Sequence, residues 1–176
     1  MMPARFPAPT LATERLILRG PEAGDWPAYR AYRLTPRSTH GGAVADEAAA
    51  WAHFAALFGH WALRGFGRFV MVSRASGGAI GHVGPFHPGG QPEPELTWTL
   101  WSAEAEGKGL AFEAAEAARA HVFRDLGWRT AVSYIAPGNR RSARLAERLG
   151  ARPDPGAPLP CWAPATVWRH TAPEVA

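Results

Sequence analysis

The sequence has little of two residue types that often define a site. Cys161 is the only cysteine, so no internal disulfide can form and no cysteine-based zinc site can be assembled. Lys108 is the only lysine, so arginine carries almost all of the positive charge, and its planar guanidinium suits bidentate contacts with carboxylate or phosphate. These shortages exclude a disulfide scaffold and fit a reducing compartment.

Long apolar runs are also missing. The first 13 residues carry Pro3, Pro7 and Pro9 and lack the apolar stretch of a secretory signal, and no later segment offers the uncharged apolar length of a membrane span. We therefore expect a cytoplasmic protein with no membrane partner. The 47% hydrophobic content of the 176 residues suits a single domain over residues 1–176, and the net charge of +4 would suit an anionic ligand.

Hydrophobic periodicity predicts a mixture of strands and helices. Alternating apolar residues predict strands near Thr13–Arg19, Phe69–Ser73, Ala79–Val83, Glu95–Trp101, Thr130–Ile135 and Thr166–His170. Apolar residues at steps of three and four predict helices over Pro21–Arg33, Asp46–Leu63, Leu110–Leu126 and Asn139–Leu149. This order favours an α/β sheet in which the strands before and after the third helix lie parallel through a right-handed crossover.

The sharpest local feature is the turn Glu106-Gly107-Lys108-Gly109-Leu110-Ala111, which follows a strand and opens a helix. A helix start leaves its first N–H groups unpaired and carries the positive end of the helix dipole. Gly107 and Gly109 let the backbone approach a bulky anion. The turn therefore predicts a pyrophosphate site, and the alternative is a tight connection that binds nothing.

Spacing excludes two common nucleotide motifs at this turn. A P-loop needs a hydroxyl residue after its lysine, whereas Lys108 precedes Gly109, and a dinucleotide fingerprint needs a further glycine at Phe112. The turn instead resembles the coenzyme A signature of the GNAT acetyltransferases, Gln/Arg-x-x-Gly-x-Gly/Ala. Gly109 and Ala111 match its small positions, and Glu106 stands where glutamine or arginine is usual.

Two further segments extend the resemblance to roughly Thr13–Leu149. The segment Thr13–Arg19 looks like the opening strand of the subgroup that includes the ribosomal-protein N-terminal acetyltransferases. Asn139-Arg140-Arg141-Ser142 with Leu149-Gly150 looks like its Asn-x-x-Ser helix and closing Leu-Gly. The resemblance implies a mostly antiparallel, twisted sheet of about six or seven strands flanked by about four helices, with a splayed pair of parallel central strands.

The same resemblance implies an activity and a cofactor. It implies transfer of acetyl from acetyl-coenzyme A to a primary amine, by direct attack and without a metal, the amine belonging to a small molecule or a protein N-terminus. The pantetheine arm would pair with backbone groups of Leu100 and Trp101, and Asn139 and Ser142 would lie beside the cofactor. Asn139 could equally serve only as a helix cap.

Proton transfer points to Glu95 as the candidate general base, because the resemblance places it at the start of the strand that borders the thioester. Its alternative role is a solvated carboxylate beside Glu93. The tyrosine that the family often uses as general acid corresponds to Ala146 here, so Ser142 or Tyr134 would have to donate a proton to the departing thiol, unless positioning alone suffices.

Two rival functions stay open at this point. A coenzyme A-binding module without catalysis would explain Ala146 and Glu106. A nucleic-acid-binding domain is supported only by the mild charge and lacks aromatic and basic strand motifs, so we expect no nucleic acid partner. The sequence does not decide between a monomer and a homodimer.

Overall fold

The computed structural model describes residues 8–41, 44–162 and 164–172. It contains a single mixed sheet of eight strands and four α-helices. The strands are β1 (Leu11–Ala12), β2 (Leu16–Arg19), β3 (Phe69–Ser73), β4 (Ala79–Phe86), β5 (Glu95–Leu100), β6 (Thr130–Ile135), β7 (Arg152–Pro153) and β8 (Thr166–Thr171). The helices are α1 (Trp26–Arg33), α2 (Glu47–Arg64), α3 (Leu110–Arg124) and α4 (Arg140–Arg148).

The sheet has the order β1-β2-β3-β4-β5-β6-β8-β7. Every neighbouring pair is antiparallel except β5 and β6, which are parallel and are joined through the long helix α3. This arrangement confirms the predicted mixed sheet with a parallel central pair. The sheet is larger than expected because the edge strands β1 and β7 have two residues each, too few to show an alternating pattern.

The helices cover opposite faces of the sheet. On one side, which we call the α3 face, strand residues such as Leu96 pack with Ala114 and Ala118 of α3. On the other side, the α1 face, Trp101 packs with aromatic residues of α1 and α2. Successive side chains of a strand alternate between faces, so Trp98 lies on the α3 face and Trp101 on the α1 face, as the spacing predicts.

Local chemistry sets where the helices begin and end, and one predicted start is wrong. The first helix begins at Trp26 after a 3-10 turn over Ala23–Asp25, so Pro27, not Pro21, occupies the first helical turn, where a missing N–H is harmless. For α2 the predicted cap is confirmed, since the carboxylate of Asp46 accepts a hydrogen bond from the Ala49 N–H at 2.8 Å. Gly65 ends that helix with φ at 73°.

Two absences can be stated for the described part of the chain. None of its helices is long and apolar enough to cross a membrane. Nor do its histidine, cysteine, aspartate and glutamate side chains gather in any group of three or more that could hold a metal ion.

Candidate active site

The central feature of the site is a cleft between β5 and β6. The two strands are paired only at their beginning, where Glu95 lies opposite Val132 and the Val132 N–H donates to the Pro94 carbonyl at 3.0 Å. One step further, the hydroxyl of Ser133 reaches across to the Leu96 carbonyl at 2.6 Å. Beyond this point the strands diverge, so the cleft has its vertex at Glu95 and opens toward the carboxyl ends of both strands.

Strand register decides which backbone groups of β5 face this cleft. In an antiparallel pair, alternate residues turn their N–H and C=O groups toward the same neighbour. Trp101 turns its N–H toward β4, where it donates to the Ile80 carbonyl at 2.7 Å, and Leu96 turns its carbonyl toward β6. By alternation, the backbone N–H and C=O groups of Trp98 and Leu100 also point into the cleft. Leu100 therefore stays a candidate for pairing with the pantetheine arm, whereas the Trp101 N–H is already engaged with β4 and Trp98 becomes a further candidate.

The glycine turn lies where β5 leads into α3 and is open to solvent. Gly107 and Gly109 have φ values of 72° and 77°, a left-handed conformation that disfavours residues with a side chain. A Cβ at Gly107 would meet no atom within 4 Å, and at Gly109 the nearest atom would be Arg15 Nη2 at 3.5 Å. The turn is therefore uncrowded around both glycines, and the first residues of α3, Leu110 and Ala111, have the unpaired N–H groups of a helix start.

The opening segment of the chain holds this turn in place, a role that local sequence patterns did not reveal. The carboxylate of Glu113, in the first turn of α3, accepts hydrogen bonds from the Thr13 hydroxyl at 2.6 Å and from Arg15 Nε at 2.6 Å. Arg15 Nη1 also donates to the Lys108 carbonyl at 2.8 Å. The contacts join residues about 100 positions apart, so only the folded chain brings them together.

Glu106 is not a bare carboxylate beside the turn. One of its oxygens accepts from Arg37 Nη2 at 2.5 Å and the other forms an ion pair with Arg141. Hydrogen bonding to Arg37 and then Arg141 lowers the pKa of Glu106, which therefore keeps its charge. Two guanidinium groups outweigh one carboxylate, so the local charge next to the turn stays positive despite the departure from the usual glutamine or arginine.

The start of α4 borders the cleft from the other side. Asn139 caps the helix, its side-chain oxygen accepting the Ser142 N–H at 3.2 Å. The Ser142 hydroxyl accepts a hydrogen bond from the Trp98 indole N–H at 3.3 Å, which ties β5 to α4 across the cleft. A cavity of about 290 Å³ opens beside Asn139 at the end of β6. Ala146 is fully buried in the same helix.

Glu95 lies at the vertex of the cleft with its side chain enclosed. It is only 7% exposed, so the solvated alternative is wrong. Its carboxylate accepts hydrogen bonds from the Tyr134 N–H at 3.3 Å and from Gln91 Nε2 at 3.2 Å. Burial raises the pKa of Glu95 to about 7, against the smaller opposing effects of these donors and of Arg68. A carboxyl with this pKa exchanges protons readily near neutral pH.

Aromatic side chains and a histidine also line the α1 face near the C-terminal end of β5, where His82 lies opposite Thr99. The indole N–H of Trp101 donates to His82 Nδ1 at 2.9 Å, and the Tyr29 ring stands edge-on to Trp101 with centroids 5.1 Å apart. Burial, followed by nearby arginines, holds the pKa of His82 well below its usual value. His82 is therefore neutral at physiological pH and serves as a hydrogen-bond acceptor in a rigid wall.

Comparison with known proteins places this geometry in a family. The model of the GNAT acetyltransferase domain matches residues 15–152. A solved acetyltransferase from Agrobacterium tumefaciens str. C58 is 39% identical, with 97% of this chain and 98% of that chain covered and a TM-score of 0.86. A GNAT-family protein from Bordetella pertussis is 29% identical over 93% of this chain and 99% of its own, with a TM-score of 0.75.

More distant structures share the fold. One is RimL, a ribosomal L7/L12 alpha-N-protein acetyltransferase solved with coenzyme A, at 14% identity and a TM-score of 0.69, with 91% of this chain and 96% of that chain covered. At that identity the likeness concerns the fold alone. The family match and the close relative go further: this chain is an acyltransferase that uses acetyl-coenzyme A, and it belongs to the GNAT acetyltransferase family.

Proposed function

We propose that this chain is an N-acetyltransferase whose primary-amine acceptor attacks the acetyl group directly while both substrates are bound, and that residues 1–176 form one such domain. Glu95 carries the proposal. Its enclosed carboxyl, with a pKa near 7, lies at the vertex of the cleft whose mouth leads to the open glycine turn. An anion site at one end of the cleft suits the phosphates of a long acyl donor, and a base at the other end suits an amine acceptor.

The residues that would hold acetyl-coenzyme A are mostly backbone donors. The N–H groups at the start of α3, above all those of Leu110 and Ala111, would bind the pyrophosphate, and Trp98 and Leu100 would pair with the pantetheine arm. Arg141 adds positive charge at the same end, with 84% of its side chain exposed. When bound, acetyl-coenzyme A supplies an activated acetyl thioester.

Glu95 would remove the proton that keeps the amine unreactive. A lysine-like amine with a pKa near ~10.4 is deprotonated at pH 7 at a free-energy cost of about 4.6 kcal/mol, whereas an α-amine near ~8 costs about 1.4 kcal/mol. A base with a pKa near 7 can accept this proton during the reaction and release it to water afterwards. The Tyr134 N–H and Gln91 amide fix the orientation of the carboxylate.

Proton donation to the departing thiol has two candidate sources. Ser142 accepts from Trp98 and keeps its own hydroxyl proton for donation. The Tyr134 hydroxyl is enclosed, and burial raises the pKa of Tyr134, so it stays protonated. Because a thiol with a pKa of about 8.5 leaves readily, we propose Ser142 as an assisting donor.

Calorimetric titration with acetyl-coenzyme A and coenzyme A tests the cofactor site. The chain offers a matched pair of glycines, since Gly109 begins α3 with φ at 77° and Gly127 follows its C-terminus with φ at 68°. The 15 residues of α3 separate the two glycines by about 22 Å. Gly109→Trp and Gly127→Trp therefore introduce the same side chain and similar backbone strain at opposite ends of one helix.

We expect micromolar binding by the unaltered protein and by Gly127→Trp, and a loss of more than about tenfold in Gly109→Trp, because the indole would fill the space above the turn. Equal affinity of the two variants would contradict the proposed site. A coenzyme A-binding module without catalysis would show the same binding but no turnover in a screen of amines followed by thiol release. Turnover is therefore the measurement that separates the two functions.

A further inference from the structure

An arginine that lacks a carboxylate partner lies beside the proposed base. Arg68 immediately precedes β3, and its guanidinium stacks over the Phe86 ring, with 4.2 Å from Cζ to the ring centroid. Phe86 lies directly opposite Glu95 in the β4–β5 ladder, and opposite residues of an antiparallel pair share a face about 5 Å apart. Arg68 and Glu95 are therefore neighbours on the α1 face.

The surroundings of Arg68 do not neutralise its charge. Within the described ranges, no ion pair or side-chain hydrogen bond involves its guanidinium, and its Nε is enclosed without a partner. Burial lowers the pKa of Arg68, while Tyr29 and Glu95 oppose that effect and Arg33 adds to it. An enclosed cation without hydrogen-bond acceptors is unfavourable, and Arg68 taken as a whole residue is half-buried.

Four titratable groups surround Arg68: His53, His82, Arg33 and Glu95. Burial, Arg33 and Arg68 together lower the pKa values of His53 and His82, so both rings are neutral near pH 7. Arg33 Nη2 shares a hydrogen bond with His53 Nδ1 and its Cζ lies 5.8 Å from the Tyr29 ring centroid. Glu95, whose pKa is raised to about 7, is only partly ionised at neutral pH and therefore offsets the charge of Arg68 only in part.

We propose that the acceptor is an amine that also bears a carboxylate a few bonds away, and that Arg68 binds this carboxylate while Glu95 accepts the proton of the amine. The inference rests on the proposed function and specifies its substrate class. A guanidinium can hold a carboxylate through two parallel hydrogen bonds. A phosphate fits less well, because its second negative charge would lie next to Glu95.

Pairs of amines in which a carboxamide replaces the carboxylate test this specificity. Because the replacement also lowers the pKa of the amine, rates are compared per concentration of unprotonated amine. L-leucine is compared with L-leucinamide and β-alanine with β-alaninamide, and peptides that begin with aspartate are compared with peptides that begin with asparagine. Initial rates of thiol release give kcat/KM for each. A charge-assisted hydrogen bond contributes about 1.5–3 kcal/mol, so we expect the carboxylates to be favoured about 10- to 100-fold. The two arms distinguish a free amino acid from an acidic protein N-terminus as the source of the carboxylate.

Three variants assign the preference to Arg68. Arg68→Met keeps the apolar contact with Phe86 and removes the charge, so the ratio of kcat/KM for each carboxylate to that for its carboxamide should fall to about one. The ratio within one variant is the readout because removing Arg68 also changes the pKa of Glu95 and therefore the rate with every amine. Arg68→Lys should retain part of the preference. Arg64→Met, an exposed position at the end of α2, should leave it unchanged. Thermal melting checks that each variant is folded.

The outcomes separate this inference from the proposed function. Acetylation of carboxamides as efficiently as carboxylates by the unaltered protein, or a carboxylate preference that survives in folded Arg68→Met, would overturn the role of Arg68 and leave the acetyltransferase proposal standing. If no amine of either kind is acetylated although acetyl-coenzyme A binds, both the inference and the catalytic proposal fail. Loss of cofactor binding itself would refute the proposed function at its first step.

Discussion

On the cofactor side of β5, the proposed contacts are backbone groups: the N–H groups at the start of α3 and the alternate peptide groups of Trp98 and Leu100. On the acceptor side, the proposed groups are side chains: Glu95 itself and Arg68, which comes from the segment before β3 and interacts with both Glu95 and Tyr29 of α1. The two sides share one strand but depend on the sequence in different ways.

The two sides should respond differently to substitution. A backbone site tolerates a change of side chain as long as the turn keeps its conformation, so we expect Glu106 to be compatible with cofactor binding. A site made of side chains changes its chemistry with each substitution. We therefore expect the largest effects on the acceptor side and the smallest at positions around the turn.

Glu95→Gln should have the largest effect. The amide keeps the shape of the side chain but cannot accept a proton, so kcat/KM should fall about 10²- to 10⁴-fold. In the unaltered protein kcat/KM should rise with pH as Glu95 loses its proton near pH 7, and the variant should lack this step. Rates from pH 5.5 to 9 measure both effects.

The control for this variant is Glu116→Gln, which alters an exposed carboxylate on α3 and should leave the rate and the pH profile unchanged. If Glu95→Gln kept full activity with the same pH profile, Glu95 would not be the base, and the reaction would rely on amines that are already neutral. Activity on the acceptor side of β5 would then not depend on the side chain of Glu95.

The same substitution should change how stability depends on pH. The pKa of Glu95 is raised from 4.5 to about 7 on folding, so its contribution to stability is full below pH 4.5 and is lost as the pH rises through 7. A shift of this size corresponds to about 3 kcal/mol. The free energy of unfolding of Glu95→Gln should therefore gain about 3 kcal/mol relative to the unaltered protein between pH 4 and pH 8.

Urea denaturation of both proteins at several pH values measures this difference. Because each comparison is made at the same pH, the titration of other groups cancels to first order. A difference that does not vary with pH would mean that the carboxyl of Glu95 is solvated in the native protein.

Features that depend on neighbouring residues could be predicted from the sequence, whereas contacts between distant residues could not. The glycine turn, the cap at Asp46 and the alternation of Trp98 and Trp101 depend on neighbouring residues, and short windows of sequence indicate them correctly. Arg15 and Arg68 act on partners far along the chain, so no local pattern marks them. The predicted start of α1 at Pro21 is wrong because Pro21 and Pro27 both suit a first helical turn. In the structure the helix begins at Trp26, and an ion pair between Arg19 and Asp25 at 2.7 Å accompanies this later start.

Ser142→Ala should have a moderate effect on stability. The variant removes the hydroxyl that accepts the Trp98 indole N–H, and the loss of one such hydrogen bond reduces the free energy of unfolding by about 1 kcal/mol. We expect kcat to fall less than about tenfold, because a thiol leaves readily without a strong acid. A much larger loss of kcat at unchanged stability would make Ser142 an essential proton donor.

Glu106→Gln should have the smallest effect, a change of less than about threefold in the Kd of acetyl-coenzyme A measured by calorimetry. Two influences oppose each other: removing the carboxylate lowers repulsion of the phosphates, but it also releases Arg37 and Arg141, which the carboxylate holds beside the turn. Arg37 keeps its second contact, from Nη1 to the Trp101 carbonyl at 2.7 Å, so much of the arrangement survives. A loss of affinity above about tenfold would show that the cofactor side depends on a side-chain network after all, and the contrast between the two sides of β5 would have to be abandoned.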